Sequence, residues 1–349
     1  MIKKMIKIAI CGYYGRGNLG DEAILQAITK QIKKKNTRTD VQVLTNKNLL
    51  TNAQKMLGAD FFIFGGGSIL QNATSDASLF YYLTIIRIAN LLCKRKIMLA
   101  NGIGPIIEHK IPLKILLRTI ARSLNCFDFI SVRDTQSQKL LQNLLPNRKI
   151  HLIPDPALIE FTNINQRLMA FSMSDENNNF FAFCPYARSL ESNKIHPDTL
   201  AKSFTVLSEQ YKVRPKIVVY NEKEDLQIAR VLKNRLKNAE IVVPHTAYEA
   251  ARAFHHAKFV ISSRYHASLL AISLGIPMLS VSADPKIIAL ANDFCSFPAL
   301  SPSIFRNSEL LSLKTLEMIT HHSENKDIIA QKIALSTREC EISIDKILK

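Results

Sequence analysis

Short apolar runs alternate with helical periods along the first half of the chain. The apolar runs have the length and composition of buried strands, and they read IKIAIC, VQVLT, FFIFGG, KIMLANG, FISV and HLIP. Between the first two runs, Ile24, Ile28 and Ile32 recur at the spacing of one helix face. This alternation of strand and helix patterns predicts a parallel sheet covered by helices.

The pattern breaks near the middle of the chain and then resumes. The stretch FTNINQRLMAFSMSDENNNF is polar and aperiodic around residues 174–179, which is typical of a linker or a surface loop. A second series of apolar runs follows, FFAFCPY, KIVVYN, AEIVVP, KFVISS and PMLSVS. We therefore predict an α/β protein with two Rossmann-like domains, residues 1–165 and 178–320, and a helix over 325–349 that packs across both.

Two such domains also predict where the chemistry takes place. Open α/β sheets bind ligands beyond the carboxyl ends of their strands. The central cleft between the two domains is therefore the expected site, and the loops that directly follow strands carry the candidate residues.

Composition places the chain among globular proteins. Hydrophobic residues make up 47% and charged residues 21% of its 349 positions, a balance unlike that of disordered chains. The six cysteines are scattered and none forms a C-x-x-C pair, which favours reduced thiols and a cytosolic protein. The first apolar run is interrupted by Lys7 and continues into a glycine loop, so we expect no secretory signal. The longest apolar region, LFYYLTIIRIANLLC, carries Arg87 and Asn90, so we expect no transmembrane helix.

The formal net charge of +17 narrows the choice of partners. An excess of lysine and arginine favours anionic partners, namely nucleic acid, anionic lipid or a phosphorylated substrate. The alternative is a solvated lysine-rich surface without a specific partner. The sequence has no zinc-finger spacing and no RNA-binding aromatic signature, so we predict no nucleic-acid partner.

The loop after the first predicted strand, GRGNLG, matches the G-x-G-x-x-G pattern of dinucleotide sites. Two acids follow at once, Asp21 and Glu22, where the next helix should start. A carboxylate there satisfies the free amides and the helix dipole, and it repels a phosphate. We therefore predict that this loop, with Asn18, binds substrate hydroxyls or frames the cleft instead of holding a pyrophosphate. A tight turn with a capping aspartate is the alternative.

Three consecutive glycines, Gly65, Gly66 and Gly67, directly follow the third predicted strand. Backbone N–H groups in such a loop can approach a ligand closely, and Ser68 adds a neutral donor. The alternative, a plain turn into a helix, needs a single glycine. The segment NGIGP is a further loop of this kind.

Two arginines end or follow predicted strands. Arg133 closes the segment FISVR, and Arg188 follows the first strand of the second domain. An arginine at this edge of a sheet can hold a carboxylate or a phosphate through two parallel N–H groups. The alternative for Arg133 is a surface ion pair with its neighbour Asp134.

The segment FVISSRYHASLLAISLGIP carries the sharpest local signal. Its apolar run is a predicted strand, which leads into a predicted helix that begins with Arg264 and His266. The helix amides, the helix dipole and the arginine together favour an anion, and the histidine can move a proton beside it. A purely structural histidine is the alternative. Asp284 and Lys286 follow the next strand and are further candidate substrate ligands.

No metal site is predicted. The pairs His255–His256 and His321–His322 are adjacent residues whose side chains point apart on a helix, and no carboxylate spacing completes a ligand set. The sequence also has no G-x-S-x-G nucleophile elbow and no Walker-type lysine after a glycine loop.

Taken together, these segments resemble the polysaccharide pyruvyltransferase family. The matching blocks, in the family's order, are GYYGRGNLGDEAIL, GGGSILQNATS, NGIGP, SVRD and RYHASLLAISLGIPMLSVSADPKI. They extend from about residue 7 to residue 290, and the first block is specific to this family. The chain departs from the family pattern at Tyr265, where leucine is common, and at Ala283, where an aromatic residue is common.

The resemblance implies a fold like that of the GT-B glycosyltransferases. It also implies that phosphoenolpyruvate donates a pyruvyl group to a sugar of a cell-surface polysaccharide precursor. A pyruvyl ketal then forms and phosphate leaves, in a reaction for which we expect neither a cofactor nor a metal.

The resemblance assigns roles to the candidate residues. His266 would be the general acid, and Asp21 or Glu22 would orient or deprotonate an acceptor hydroxyl. The donor's carboxylate and phosphate would be neutralised by three arginines, namely Arg133, Arg188 and Arg264.

Two other functions stay open at this point. A nucleotide-sugar glycosyltransferase of the same fold would need an acid for the ribose, and the second domain offers only Asp284 after its last strand. A basic protein that binds a membrane surface or nucleic acid would explain the charge but not the loop motifs.

The family's saccharide acceptors are commonly carried on polyprenyl lipids. The resemblance therefore implies a lipid-linked acceptor and a cytoplasmic enzyme in peripheral contact with the inner face of the cell membrane. The segment IPLKILLRTIARSL adds a physical reason, because Lys114, Arg118 and Arg122 recur every four residues on an otherwise apolar helix. The alternative is an ordinary core-packing helix whose basic stripe faces water.

Overall fold

The computed structural model describes residues 5–45, 48–73, 75–170, 179–295 and 297–347. The chain divides into two units. The first unit comprises the described parts of residues 1–160 and 337–349, and the second unit comprises those of residues 161–336.

A six-stranded parallel sheet forms the centre of the first unit. Its strands are β1 (Ile6–Cys11), β2 (Thr39–Leu44), β3 (Phe61–Gly65), β4 (Arg95–Asn101), β5 (Phe129–Val132) and β6 (His151–Leu152). The spatial order is β2-β1-β3-β4-β5-β6, so the order reverses at β1. Every residue of β3 is buried, as expected for a central parallel strand covered on both faces.

Helices connect these strands. They are α1 (Leu19–Lys35), α2 (Leu49–Met56), α3 (Asp76–Leu92), α4 (Leu113–Leu124), α5 (Thr135–Leu144) and α6 (Ala157–Ala170). Asn18, Asn48, Ser75 and Asp134 cap the first, second, third and fifth helices with side-chain oxygens. Such caps satisfy amides that have no partner inside the helix, so the sequence itself marks where these helices begin.

A five-stranded parallel sheet forms the centre of the second unit. Its strands are β7 (Phe180–Cys184), β8 (Arg214–Val218), β9 (Glu240–Val242), β10 (Val260–Ser262) and β11 (Met278–Ser280). Their spatial order is β11-β10-β7-β8-β9. The prediction of an α/β protein with two parallel sheets is therefore confirmed.

The second unit also has its own helices. They are α7 (Ala187–Ser192), α8 (Pro197–Tyr211), α9 (Glu222–Arg235), α10 (Ala247–Phe254), α11 (Tyr265–Ser273) and α12 (Pro285–Leu290). A π-helical turn (Ala291–Cys295) and a 3₁₀ turn (Pro302–Arg306) follow. The last helix, α13, runs from Ser308 to Ile347.

Each unit has its own aromatic core. In the first, the rings of Phe62, Phe64 and Phe127 are fully buried with centroids within 6.3 Å of one another. In the second, Phe183 and Phe204 meet edge to face at 4.7 Å within a larger buried cluster. Burying one such ring stabilises a fold by about 1.5–3 kcal/mol, so each sheet carries a hydrophobic layer of its own.

Two element boundaries differ from the sequence prediction. The predicted linker around residues 174–179 lies almost wholly in 171–178, outside the described residues, but residues 161–170 before it are helical and belong to α6. Helix α13 begins at Ser308, before the predicted start at residue 325. In both segments, polar residues on the exposed face mask the helical period of the buried positions. Among the described residues, no helix is long and apolar enough to cross a bilayer.

Candidate functional site

In the first unit, most of the predicted site residues gather at one edge of the sheet. Strands β1, β3, β4 and β5 are parallel neighbours, so the loops after their carboxyl ends meet there. Backbone hydrogen bonds join these loops, because Gly66 N–H donates to Leu99 O and Gly102 N–H donates to Gly67 O, each at 2.8 Å. The loop after β1 also leads directly into α1, which carries the two predicted acids.

Both acids of the first loop are engaged inside the first unit. Asn18 caps α1 by accepting the Gly20 N–H at 3.3 Å. Glu22 Oε1 accepts the Gly15 N–H at 2.5 Å and so closes the glycine loop onto the helix that follows it. Asp21 is only 5% exposed and lies beside Gly67 in the next loop. The predicted role of these carboxylates toward an acceptor hydroxyl stays a prediction.

The glycines after β3 allow α1 to approach the sheet edge closely. Gly66 and Gly67 have φ values of +57° and +71°, in the left-handed region that favours glycine. A Cβ atom at Gly66 would lie 2.4 Å from the Ile24 side chain, and one at Gly67 would lie 2.6 Å from Asp21 Oδ1. The triple glycine therefore has a packing reason, which holds whether or not its amides also face a substrate.

Tyr14 is a buried member of this edge that the sequence prediction missed. Its ring is 1% exposed, and its hydroxyl donates a hydrogen bond of 2.5 Å to Gly65 O. A Cβ atom at Gly12 would lie 2.3 Å from the same ring. Burial raises the pKa of Tyr14, and the nearby Asp21 charge raises it further, so the phenol stays a donor at neutral pH. A second tyrosine in a glycine loop is the only sequence signal for this role.

Arg133 forms a buried ion pair instead of the surface pair predicted as its alternative. Its Nη1 lies 2.6 Å from Asp155 Oδ2, and the two side chains are 3% and 1% exposed. Its Nη2 donates to Ser68 Oγ at 2.8 Å. Asp134, the neighbour in sequence, instead caps α5 by accepting the Ser137 N–H at 2.7 Å. Arg133 thus ties the end of β5 to the glycine loop and to the segment before α6.

The second unit brings its predicted residues together around the end of β10. Strand β10 lies between β11 and β7, so the loops after these three strands are adjacent. The segments that follow β10, β11 and β7 carry Arg264 and His266, Asp284 and Lys286, and Arg188, respectively. Ser262 Oγ accepts the Arg264 N–H at 3.1 Å and fixes the backbone where the strand turns into α11.

Arg264 occupies the N-cap position of α11, and its guanidinium is held on several sides. Its Nη2 donates to Glu224 Oε2 at 2.7 Å and to Asp225 Oδ1 at 2.8 Å, and its Nε donates to Pro185 O at 3.2 Å. Its carbon Cζ lies 4.5 Å from the centre of the Tyr186 ring, in cation–π geometry. The side chain keeps 14% of its surface exposed.

The two carboxylates that hold Arg264 were missed by the sequence prediction. They lie in the first turn of α9, in a run of acids that reads only as a favourable helix start. Asp225 is fully buried and also accepts the Ala187 N–H at 3.2 Å. Burial raises the pKa of Asp225, while the adjacent Arg264 acts in the opposite direction. Glu224 Oε1 also lies 3.1 Å from Arg188 Nη2, so both predicted arginines share one carboxylate.

The three predicted arginines differ in how much of the side chain is exposed to solvent. The Arg188 side chain is 54% exposed, whereas those of Arg264 and Arg133 are 14% and 3% exposed. A ligand can therefore reach the Arg188 guanidinium directly. The charges of the other two arginines are already compensated by buried or half-buried carboxylates.

His266 and Asp284 complete the group. His266 is half-buried in the first turn of α11, and its ring meets Tyr265 edge to face with centroids 5.1 Å apart. Asp284 caps α12 by accepting the Lys286 N–H at 3.0 Å. Burial and the Glu224 charge raise the pKa of Tyr186, and Asp284 adds to this effect, so Asp284 belongs to the same electrostatic neighbourhood.

This arrangement can bind an anion and move a proton. The N-cap of α11 has no side-chain capping hydrogen bond, and this helix start carries the positive end of the helix dipole. The half-buried His266 lies in the first turn of this helix, and the exposed Arg188 lies in the first turn of α7. Within the described ranges, no three His, Cys, Asp or Glu side chains are placed to hold a metal ion.

A comparison with protein families gives one match. The sequence model of the family described as polysaccharide pyruvyl transferase matches residues 18–285. This range includes every predicted site residue except Lys286. No curated protein matches the sequence of the chain.

Solved structures show the same fold at low sequence identity. UDP-GlcNAc 2-epimerase from Neisseria meningitidis, bound to UDP-GlcNAc, is 11% identical with a TM-score of 0.60 and covers 99% of each chain. The enzyme of that name from Methanocaldococcus jannaschii is 13% identical with a TM-score of 0.56, covering 89% of this chain and 91% of that one. The S. aureus MnaA–UDP co-structure is 12% identical with a TM-score of 0.61, covering 92% and 91%. These are GT-B-type enzymes, so the predicted GT-B-like fold is confirmed.

Proposed function

The chain belongs to the polysaccharide pyruvyl transferase family, and on this premise we propose that it transfers a pyruvyl group from phosphoenolpyruvate to a saccharide. The product is a pyruvyl ketal on a precursor of a cell-surface polysaccharide, and the leaving group is inorganic phosphate. One observation carries the proposal above the others. The start of α11 combines the positive end of the helix dipole with Arg264 and His266, and an exposed Arg188 is joined to Arg264 through Glu224.

The donor would bind at this helix start. Phosphoenolpyruvate carries a carboxylate and a phosphate on one three-carbon unit, so it needs two anion-binding groups a short distance apart. The positive end of the α11 dipole supplies one, and the exposed Arg188 guanidinium supplies the other by exchanging its contact with Glu224 for a two-point contact with the ligand. Lys286, which follows the cap of α12, adds a further positive charge.

Arg264 would act mainly as a positioning residue. Its guanidinium donates hydrogen bonds to Glu224, Asp225 and the Pro185 carbonyl, so its charge is largely compensated within the second unit. What it fixes is the backbone at the end of β10 and the orientation of the first turn of α11. A site held this rigidly keeps its amides aimed at the ligand without reorganising during the reaction.

The chemistry needs one proton donor and two acceptor hydroxyls. The donor's methylene carbon takes a proton and becomes a methyl group, which leaves the central carbon open to attack. The first hydroxyl oxygen bonds to this carbon and gives up its proton, and the second does the same as the carbon–oxygen bond to phosphate breaks. One of the two hydroxyl protons replaces the proton given to the methyl group, and the other leaves with the phosphate.

His266 is the proposed proton donor. Histidine is the side chain best matched to proton transfer near neutral pH. Its place in the first turn of α11 puts it beside the proposed phosphate and carboxylate site, and its half-buried ring lies against Tyr265. This contact limits the orientations of the imidazole, as a general acid requires.

A binding experiment tests the donor assignment. The full chain is titrated calorimetrically with phosphoenolpyruvate and, separately, with UDP-GlcNAc, the ligand named for one of the similar structures. We expect saturable binding of phosphoenolpyruvate that weakens in Arg188→Gln, with no heat from UDP-GlcNAc. Binding of UDP-GlcNAc without binding of phosphoenolpyruvate would replace the proposal with nucleotide-sugar chemistry.

A further inference from the structure

Helix α4 of the first unit has a buried apolar face and an exposed basic stripe. Leu116, Ile120 and Leu124 are fully buried and belong to the first core. Lys114, Arg118 and Arg122 are exposed and recur every four residues, so they form one stripe along the helix. The sequence prediction left open whether this helix packs into the core or rests on lipid, and the structure places one face in the core and leaves the basic stripe outside it.

The cations of this stripe have no carboxylate partner in the part of the chain that the structure describes. Among the described residues, no carboxylate lies within 4.0 Å of Lys114, Arg118 or Arg122. Other basic residues of the first unit do have such partners, since Lys94 pairs with Asp60 at 2.6 Å and Lys96 with Asp128 at 3.8 Å.

The segment that contains the stripe is also strongly basic overall. Residues 107–122 contain four lysines and arginines against a single acid, Glu108. The Glu108 carboxylate accepts the Leu113 N–H at 3.1 Å, so it is engaged at the start of α4 instead of neutralising the stripe.

Apolar surface borders the cations on both sides. Ile115 is 51% exposed and Ile107 is 42% exposed. On the other side of the stripe, an open groove of about 580 Å³ lies between α4 and the end of α5. Four aliphatic residues line this groove, Leu113, Leu117, Ala121 and Leu144, together with Lys114, Arg118, Glu108 and Asn143.

We propose that α4 and the preceding residues 107–112 form the surface by which the first unit contacts an anionic lipid bilayer. Phosphate groups of the lipid would neutralise the basic stripe, while Ile115 and Ile107 would enter the interface beside them. An interfacial helix of this type combines a cationic face with exposed aliphatic side chains. A nucleic-acid surface would match the charge but gives no reason for the exposed isoleucines.

The proposal predicts a strong dependence on charge and salt. Each basic residue near an anionic surface strengthens binding by about fivefold, so losing three should weaken it by on the order of 100-fold. The attraction decays over a Debye length, and raising the salt from about 0.05 M to 0.5 M should release the protein from the vesicles.

Sedimentation with vesicles tests the proposal without using the donor or the acceptor, so its outcome does not depend on the proposed function. The full chain is mixed at low salt with vesicles that contain phosphatidylglycerol and with vesicles of phosphatidylcholine alone. We expect binding to the first and little binding to the second. The triple variant K114Q/R118Q/R122Q should lose the binding, and Ile115→Ser should weaken it at unchanged charge.

A matched control comes from the second unit. Arg230 and Lys233 are exposed on α9 and Lys237 is exposed just after this helix, whose first turn contains three acids. The variant R230Q/K233Q/K237Q removes the same charge and should bind anionic vesicles almost as wild type does. Equal losses in the two triple variants would show that only total charge matters and would overturn the proposal. Wild-type binding in K114Q/R118Q/R122Q, or binding to a DNA duplex but not to vesicles, would overturn it too.

Discussion

Arg133 and Arg264 follow parallel strands in the two units, yet their surroundings differ. Arg133 is enclosed with Asp155, and neither side chain is more than 3% exposed. Arg264 is also paired with carboxylates, but it caps a nine-residue helix, lies against Tyr186 and precedes His266 by two residues. Arg133 has a structural role at the edge of the first sheet. Arg264 instead fixes the start of a helix that can bind an anion.

The comparison shows that position at a strand end does not by itself make an arginine a ligand. The outcome depends on which carboxylate reaches the guanidinium and on what else borders it. Asp155 forms a buried ion pair with Arg133, whereas Glu224 is shared between Arg264 and the exposed Arg188. The second unit therefore retains a positive group that a ligand can reach.

The largest expected effect is on turnover in the second unit. His266→Gln should lower kcat by about 10²–10⁴, because loss of a general acid typically costs that much. Urea unfolding of the variant should match wild type. His245→Gln, an exposed histidine of the same unit, is the control and should turn over normally. A His266→Gln enzyme with wild-type kcat would remove this residue from the mechanism.

The next effect is on stability in the first unit. Arg133→Met should lower the unfolding free energy of that unit by about 3–5 kcal/mol, because the buried Asp155 carboxylate loses its ion pair with Arg133. Hydrogen exchange measured during chemical unfolding reports the unfolding free energy of each unit separately. Adding Asp155→Leu should recover part of the loss, since the buried charge is then gone. If Arg133→Met unfolds like wild type, the ion pair with Asp155 does not stabilise the first unit.

A smaller effect concerns the donor. Arg188→Gln should raise the KM for phosphoenolpyruvate by about tenfold with little change in kcat, as expected for one charged hydrogen-bonding contact. Arg214→Gln is the matched control. Arg214 is similarly exposed and forms an ion pair with Glu240 at 3.6 Å. This pair does not belong to the proposed site. Unchanged KM in Arg188→Gln, or an equal rise in Arg214→Gln, would contradict the assignment.

The smallest effect is a pH dependence of stability. The pKa of Asp225 is raised by burial, so the folded chain holds its proton more tightly than the unfolded chain. Its contribution to stability is therefore present below about pH 4 and is lost as the pH rises through the folded pKa. Relative to wild type, Asp225→Asn should become more stable as the pH rises from about 4, which urea midpoints measure.

An exposed aspartate of the same unit provides the opposite case. Hydrogen bonding to Arg235 lowers the pKa of Asp198, so its contribution is present above the unfolded pKa and is lost as the pH falls through the folded one. Asp198→Asn should therefore lose stability relative to wild type as the pH rises. The same slope in both variants would contradict the burial argument for Asp225.

The sequence predicted the features that leave a local pattern. The two series of strands, the helix that follows the first glycine loop, and the start of α11 at Arg264 and His266 all appear where the periodicity and the glycine loops place them. These features depend on residues within a few positions of one another, so a sequence pattern can report them.

Pairings between distant residues could not be predicted in this way. Asp155 lies 22 positions after Arg133, and Asp225 lies 39 positions before Arg264. Neither partner lies in a recognisable motif, because only the folded sheet edge brings the two side chains of each pair together. For the same reason, the packing role of Gly66 against Ile24 was hidden behind a pattern that suggests ligand binding.

The central claim is that phosphoenolpyruvate is the donor, and carbon-13 NMR tests it most directly. The full chain is incubated in D₂O with lipid-linked saccharides and phosphoenolpyruvate labelled at its methylene carbon. We expect the methylene signal to be replaced by a ketal methyl signal carrying one deuterium, with one phosphate released for each ketal and almost no conversion by His266→Gln. Unchanged phosphoenolpyruvate across the saccharide panel, with UDP-GlcNAc consumed under the same conditions, would contradict it.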